Sequence, residues 1–407
     1  MSNSVAVPWA AWYGDALHTL GFPESWRVTV WPMRAAPDVG AAGIEAALDA
    51  PINSPPVAQL AARRRSAIVA VDDLARPTPT ARLLLPLLAR IEQAGVPAQD
   101  IRVLVASGAG RPLVRDDLLK KLGREVVERY EVHNHQPYEN LEDLGLSSRG
   151  TPIQVNRAFL DADLRVAMGC ISPSPELGFD GGAATVASGL ASTDSIAWSE
   201  RAPNLTGELG SAEGGERRAD LEEIAERIGL DLVVDVALTS TRDIAGVFAG
   251  EPIAAHRAGS AVARQLAATA LPDDLVDIVV VNAYPYDASF LQAERAQIVL
   301  QSAVRRGRRV LRPGGTTVIT TASSEGRGAH ALYAPGGRFY TPRDEPLPFD
   351  RMHSAGPVYY SPHLGPRETN GLPVRSDWHG LIAQLLAIHG HRASVAVFPT
   401  APLQLIV

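Results

Sequence analysis

The sequence predicts an α/β protein of two domains with mostly parallel sheets. Short runs rich in Val, Ile, Leu and Ala alternate with helical patterns, and this alternation is typical of parallel strands covered by helices. Loops rich in Gly, Ser and Pro separate the two kinds of segment. The 407 residues are enough for two domains that each bury their own core.

The first part of the chain carries the clearest strand and helix patterns. Residues 67–73 (AIVAVDD) predict a buried strand, after which Thr78 can cap a helix whose first residue is Pro79. An apolar stripe at helical spacing runs from Leu83 to Ile91, and Pro86 inside it should kink the helix. The same criteria predict strands at 101–106, 164–168 and 232–236, and helices at 114–122 and 252–268.

The second part of the chain begins after a polar turn between residues 265 and 275. We therefore predict domains at 1–268 and 269–407, with the last helix or strand able to pack back on the first domain. Asp287 is expected to cap a long helix over 288–306. The stretch 325–375 has little periodicity and is expected to be irregular. Strands are predicted at 276–282, 316–321 and 393–398.

Composition excludes several classes of protein. The net charge of −7 argues against nucleic acid or an anionic membrane as a partner, since both usually meet a basic surface. A single cysteine fits a reducing cytoplasm, which is the expected location. The first residues do not have the pattern of a signal peptide, and no apolar run is long enough to span a bilayer. The oligomeric state stays open, a homodimer included.

Ligands of parallel sheets bind at the loops that leave the carboxyl ends of the strands. That rule selects residues 72–80, 107–112, 170–182 and 284–287. We expect two Rossmann-like domains whose loops face a central cleft.

At and around these loops the sequence resembles the lactate racemase family. The resemblance extends from about residue 12 to the C-terminus, and its segments come in the family's order. They are PINSPPVAQLA (51–61), DLARPTP (73–79), SSRGTPIQVNR (147–157), IAGVFAGEPIAAHRAG (244–259), YPYD (284–287) and RPGG (312–315).

The resemblance implies two α/β domains and a nickel-containing cofactor. Members of the family hold a nickel ion in a pincer nucleotide that is tethered through a lysine. The pincer takes a hydride from C2 of a 2-hydroxy acid, two histidines act as bases, and a third histidine ligates nickel. An arginine binds the substrate carboxylate, and that arginine corresponds to Arg76, with Asp73 beside it.

Four positions depart from the family's pattern. Gly110 and Ser174 stand where the two base histidines belong, Ala184 stands where the tethering lysine belongs, and Glu200 is the best match to the nickel-ligating histidine. Glycine, serine and alanine cannot act as a base near neutral pH or bind a soft metal. The sequence thus predicts that no cofactor is held, with the nickel pincer nucleotide as the alternative.

The expected substrate is a small carboxylate or another anion. Its binding is assigned to Arg76, Arg111 and Arg295, the last of which stands where the family has a lysine, with Ser174 and Gln292 beside them. Proton transfer is assigned to a second set of side chains, namely Asp73, Glu176, Asp180 and Tyr284.

Each assignment has a simpler structural alternative. Arg76 could pair with Asp73 to close its own loop, and Arg111 could anchor its own turn. Glu176 could be a solvated loop acid, and Asp180 could cap a helix that starts near Gly181.

Three functions remain open from the sequence. The favoured one is an isomerase-like or lyase-like enzyme that acts on a small or medium organic acid without nickel, by isomerisation, elimination or cyclisation. The second is a racemase or epimerase of 2-hydroxy acids that still uses the pincer nucleotide. The third is a binding protein without catalysis.

Overall fold

The structure is a computed structural model that describes residues 3–340, 357–369 and 371–407. By its internal contacts the chain divides into two compact units. We call Ala36–Gln265 with His330–Leu332 the large unit. The small unit comprises Met1–Ala35, Leu266–Ala329 and Tyr333–Val407.

Strands and helices alternate through the described residues. The strands are β1 (Ser4–Trp9), β2 (Ala16–Gly21), β3 (Arg27–Val30), β4 (Ala67–Asp72), β5 (Ile101–Ala106), β6 (Glu131–Asn134), β7 (Leu141–Leu146), β8 (Pro152–Asn156), β9 (Leu164–Ile171), β10 (Pro173–Ser174), β11 (Gly178–Phe179), β12 (Leu232–Leu238), β13 (Ile244–Gly250), β14 (Ala268–Thr269), β15 (Val276–Asn282), β16 (Leu311–Thr320), β17 (Val358–Tyr360), β18 (Val374–Arg375), β19 (Ser394–Phe398) and β20 (Leu405–Ile406). The helices are α1 (Gly40–Asp49), α2 (Val57–Ala61), α3 (Thr80–Gln93), α4 (Arg115–Leu122), α5 (Arg124–Arg129), α6 (Arg157–Leu160), α7 (Ala184–Ala187), α8 (Thr193–Arg201), α9 (Glu216–Ile228), α10 (Pro252–Ala267), α11 (Phe290–Ala293), α12 (Ile298–Arg305) and α13 (Trp378–His389). In the part of the chain that the structure describes, no helix has the length and apolarity to cross a membrane.

A six-stranded sheet forms the centre of the large unit. Its strand order is β13-β12-β9-β4-β5-β6, and every pair is parallel except β12 with β13. All residues of β4 are buried, as expected for a strand covered on both faces. The register pairs Asp72 with Ala106 and Val71 with Met168. The carboxyl ends of β4, β5 and β9 therefore lie at one edge of the sheet, and the loops that follow them start side by side.

Helix α3 packs its predicted apolar stripe inward but begins differently from the prediction. Its N-cap position is Pro79, without a side-chain cap, so Thr78 is not the cap. The Thr78 hydroxyl instead donates a hydrogen bond to the Asp72 carboxylate. A buried carboxylate needs donors, and this need outweighs the smaller gain from capping a helix.

The small unit has its own six-stranded parallel sheet. The strand order is β18-β17-β16-β15-β19-β3. The alternating α/β fold with mostly parallel sheets that the sequence predicted is thus confirmed in both units. Two of the strands, β17 and β18, fall within 325–375, which was expected to be irregular; residues 341–356 and 370 of that stretch lie outside the described residues.

Residues 1–35 belong to the small unit, although the sequence analysis grouped them with the first domain. Strand β3 pairs with β19, with Arg27 opposite Ser394. The β1–β2 hairpin contributes Val7 and Leu20 to a core that also contains Val395. Pairing over such a sequence distance leaves no local pattern from which it could be predicted.

The predicted helix over 288–306 is broken into α11, a 3-10 turn and α12. Asp287 does not cap it, since the N-cap position of α11 is Ser289. The buried Asp287 carboxylate accepts hydrogen bonds from the backbone N–H groups of Ala10 and Ala11, at 2.7 and 3.0 Å. Burial raises the pKa of Asp287 to about 6, although these two bonds lower it. The carboxylate thus holds the N-terminal hairpin rather than the helix.

Trp26 tests the assignment of the N-terminal residues to the small unit. Its side chain is only 3% exposed, and its indole N–H donates to the carbonyl of Gly390 at 3.0 Å. Trp26→Ala should lower the free energy of unfolding of the small unit by about 3–5 kcal/mol, because it leaves a cavity. Hydrogen exchange should then accelerate in β15 and β19 but not in β4 and β5.

Leu17→Ala is the matched control, because the Leu17 side chain lies in the preceding strand β2 and is 74% exposed. It should leave hydrogen exchange in β4, β5, β15 and β19 unchanged. Equal acceleration in β4 and β19 by Trp26→Ala would contradict the assignment.

Candidate active site

A buried ammonium group fixes the loop that follows β4. Lys121 in α4 is fully buried, and its Nζ lies 2.6 Å from Oδ1 of Asp72. The same ammonium donates to the carbonyl oxygens of Arg76 and Thr78, at 3.1 and 3.3 Å. Two backbone carbonyls of the loop thus bind the same ammonium group. The sequence analysis missed Lys121, because a lysine in a charged amphipathic helix gives no sign of burial.

Asp73 is the first side chain of this loop. It is half-buried, and its Oδ1 accepts a hydrogen bond from the N–H of Ala75 at 2.9 Å. Burial raises the pKa of Asp73 to about 6, and the charge of Asp72 adds to this rise. Arg76 and Lys121 oppose the rise with their positive charges. Asp73 therefore changes its charge close to neutral pH, which suits a group that exchanges protons.

The Arg76 side chain meets a carboxylate from the loop after β9. Its Nε lies 3.6 Å from Oδ2 of Asp180, which also accepts from the Ser172 hydroxyl at 3.3 Å. Arg76 is also linked to Asp73, since its N–H donates to the Asp73 carbonyl at 3.2 Å and its positive charge acts on the Asp73 carboxyl. The Arg76 side chain is 36% exposed, whereas Asp180 is buried. The ion pair thus joins the loops after β4 and β9.

The loop that carries Asp180 is held through its backbone. The fully buried Arg218 in α9 donates to the carbonyls of Phe179 and Gly181, the latter at 3.0 Å. Burial and the charge of Arg218 keep the pKa of His256 well below its usual range. The Nε2 of this neutral imidazole lies 3.0 Å from the carbonyl oxygen of Asp180, where it donates.

Asp180 does not cap the helix after this loop. Helix α7 begins at Ala184 with Ala183 in the N-cap position, and no side chain caps it. The buried Asp235 accepts instead from the N–H of Gly182 at 2.7 Å. The Asp180 carboxylate lies instead beside the Arg76 guanidinium.

Ser174 and Glu176 lie in the small hairpin formed by β10 and β11. The buried Ser174 hydroxyl donates to Oε2 of Glu176 at 3.2 Å and accepts from the N–H of Leu177 at 3.3 Å. Glu176 itself is exposed to solvent. The geometry matches the solvated loop acid that the sequence analysis kept as its alternative.

Arg111 contacts the start of its own helix. Its guanidinium lies 2.6 Å from the buried Asp117 carboxylate, which also accepts from the N–H of Val114 at 3.3 Å. Asp117 thus ties Arg111 to the first turn of α4. This contact is the one expected if Arg111 anchors its own turn.

Tyr284, Gln292 and Arg295 belong to the small unit. The Tyr284 hydroxyl donates to Asp15 at 3.0 Å, and the Arg295 guanidinium lies 4.5 Å from the ring centre of Tyr286. The Gln292 side-chain oxygen is buried and has no hydrogen-bond partner among the described residues.

Comparison with known proteins gives a consistent result. Residues 13–206 match the family model of the lactate racemase N-terminal domain. The chain is 27% identical over 296 residues to a lactate racemase of Thermoanaerobacterium thermosaccharolyticum, covering 71% of this chain and 67% of that protein. It is 26% identical over 300 residues to a lactate racemase of Lactiplantibacillus plantarum, covering 71% and 68%.

Two solved structures share the fold, one over nearly the whole chain and one over part of it. The lactate racemase apoprotein from T. thermosaccharolyticum superposes with a TM-score of 0.75 at 20% identity, covering 99% of this chain and 100% of that one. A protein from Thermotoga maritima superposes with a TM-score of 0.56 at 21% identity, covering 70% and 72%.

Removing the buried ammonium should disrupt the loop after β4. Lys121→Ala leaves the Asp72 carboxylate without its cation in a buried place, so we expect a loss of about 3–5 kcal/mol in the free energy of unfolding. Urea denaturation measures this. Lys120→Ala, at the exposed neighbouring position of α4, should change stability by less than about 1 kcal/mol. Equal effects of the two substitutions would contradict the assigned role of Lys121.

Asp73 should make stability depend on pH in a defined direction. Its carboxyl titrates near 3.8 when unfolded and near 6 when folded, so the folded state keeps its proton longer. This contribution stabilises the wild type at low pH and is lost as pH rises through about 6. Asp73→Asn lacks this contribution. The free energy of unfolding of the variant minus that of the wild type should therefore increase by at most about 3 kcal/mol from pH 4 to pH 7. Urea denaturation across that range measures the difference, and a flat or falling difference would contradict the raised pKa.

Proposed function

We propose that this chain, which belongs to the lactate racemase family, is an enzyme that performs nickel-independent acid/base chemistry on a small or medium organic acid. The reaction class is isomerisation, or the related elimination or cyclisation. The observation that carries this proposal is the group formed by Asp73, Arg76 and Asp180 at the carboxyl edge of the parallel sheet.

Arg76 is suited to hold the substrate. A guanidinium has five N–H donors in a planar fork and binds carboxylates through two of them. The side chain is 36% exposed, so an anion from solvent can reach it. The buried Asp180 carboxylate pairs with the guanidinium and restrains it.

Asp73 is suited to move the proton. A general base works best when its pKa lies near the working pH. With a pKa of about 6, Asp73 is largely ionised at neutral pH yet holds a proton easily once it has taken one. It can remove a proton from the carbon beside the anchored acid group. Its return gives isomerisation, and departure of a neighbouring group gives elimination or cyclisation.

The residues present do not fit the pincer cofactor that the family resemblance implies. Ala184 offers a methyl group, which packs against the core, where a lysine amine would be needed for the tether. Gly110 and Ser174 offer no imidazole. Glu200, the best match to the nickel-ligating histidine, offers a carboxylate in place of an imidazole. A pincer-dependent 2-hydroxy acid racemase is the competing function.

Isotope exchange separates the two chemistries. A proton taken by Asp73 exchanges with water, so turnover in deuterium oxide should place deuterium on the reacting carbon of a substrate found in a panel of small organic acids. Hydride transfer through a pincer keeps the original hydrogen on carbon. Stoichiometric nickel together with retained hydrogen would overturn the nickel-independent proposal.

Arg76→Ala tests the anion site. We expect about a 100-fold fall in kcat/KM, from the loss of charge-assisted hydrogen bonds worth about 3 kcal/mol. The matched control is Arg82→Ala, because Arg82 is also 36% exposed and also pairs with an aspartate, Asp38, at 2.8 Å. The control should keep wild-type activity, and unchanged activity of Arg76→Ala would refute the placement of the site.

The third function, binding without catalysis, predicts no turnover at all. It is contradicted by any turnover of a single substrate that is lost in Asp73→Asn.

A further inference from the structure

We propose that His330 is a further catalytic residue, whose neutral imidazole donates its Nε2–H to the substrate oxygen that gains negative charge when Asp73 removes the proton. The inference rests on the proposed function and deepens it, since it requires a substrate with a carbonyl or carboxylate oxygen next to the reacting carbon. His330 stood outside every motif of the sequence analysis.

The backbone brings His330 to the loop after β5. His330 forms an isolated antiparallel bridge with Gly110, and the N–H of Ala331 donates to the carbonyl of Ala109 at 2.7 Å. Residues His330–Leu332 are accordingly part of the large unit. Bridged residues of antiparallel strands lie about 5 Å apart at their Cα atoms.

Gly110 is also in contact with Asp73. A Cβ atom at position 110 would lie 3.1 Å from Oδ2 of Asp73 and 2.9 Å from the carbonyl oxygen of Ser107. Glycine is thus the residue that fits between this turn and the carboxylate without a shift. Because His330 bridges Gly110, and Gly110 adjoins Asp73, the imidazole and the proposed base belong to one small region.

A local hydrogen bond sets the tautomer of His330. The N–H of Leu332 donates to Nδ1 at 3.2 Å, so Nδ1 is the acceptor and the proton of a neutral ring is on Nε2. Burial, and the positive charge of Arg76, lower the pKa of His330 to about 4. The ring is therefore neutral at pH 7 and too weakly basic to compete with Asp73 for the proton.

The chemistry balances with these groups alone. The Asp73 carboxylate takes the proton, and the electron pair of the broken C–H bond forms a carbon–carbon double bond. The carbonyl electrons move to oxygen, where the new charge is stabilised by the Nε2–H of His330 and by Arg76. Return of the proton from Asp73 to another carbon of the conjugated anion gives isomerisation, and loss of a leaving group with its electron pair gives elimination. A neutral donor suits this task, because an imidazolium would lose its proton to the oxyanion.

The test compares two substitutions of the same side chain. His330→Ala should lower kcat by about 100-fold with little change in KM, as is typical when a donor to a developing oxyanion is removed. His330→Gln keeps a neutral N–H donor, so its kcat should be at least about tenfold higher than that of His330→Ala. His379→Ala, at an exposed histidine whose side chain is 98% accessible, should have no effect.

Two results would overturn the proposal for His330. One is a kcat of His330→Ala equal to that of the wild type while Asp73→Asn and Arg76→Ala are inactive, which leaves the proposed function intact. The other is a nitrogen NMR spectrum of the wild type at pH 7 in which His330 is doubly protonated or carries its proton on Nδ1. If all three substitutions leave turnover unchanged, the proposed function itself fails. Thermal unfolding of each variant shows whether a loss of activity is a loss of folding.

Discussion

The contact of the buried Lys121 ammonium with Asp72 and with two backbone carbonyls is the constraint on which the candidate site depends. A charge in the interior is costly unless it is paired and its donors are satisfied. Asp72 supplies the charge, and the carbonyls of Arg76 and Thr78 supply acceptors. The backbone of residues 73–79 thus has one favourable conformation, and in that conformation Asp73 is half-buried.

A second buried cation fixes the backbone of the loop after β9. Arg218 binds carbonyls of the glycine-rich segment, and Asp235 binds an N–H of the same segment. Both loops are therefore held by contacts to their backbones. Backbone carbonyl and N–H groups are present whatever side chains a loop carries, so a change of loop side chains need not alter the scaffold.

The sequence predicted regular structure well where the signal was local. The strands at 101–106 and 276–282 have the predicted bounds, because short runs rich in β-branched residues are recognised directly in the sequence. Predicted helix caps were wrong where another hydrogen-bond partner competed. The Thr78 hydroxyl donates to the buried Asp72 carboxylate, and the Asp287 carboxylate accepts from Ala10 and Ala11, which are far away in the chain. The pairing of Arg76 with Asp180 and the burial of Lys121 depend on contacts far along the chain. Candidate residues could thus be chosen from loop positions, but their partners could not.

The arrangement of the units along the chain has a consequence for synthesis. All but three residues of the large unit are contiguous, so its sheet can form while the rest of the chain is still on the ribosome. The small unit needs β3 from the start of the chain and β19 from its end, so its sheet must wait for release. His330 reaches the Gly110 turn only after most of the protein has emerged. In a nascent chain, Asp73 and Arg76 would therefore take their positions before His330 does. The proposed activity would begin only once synthesis is nearly complete.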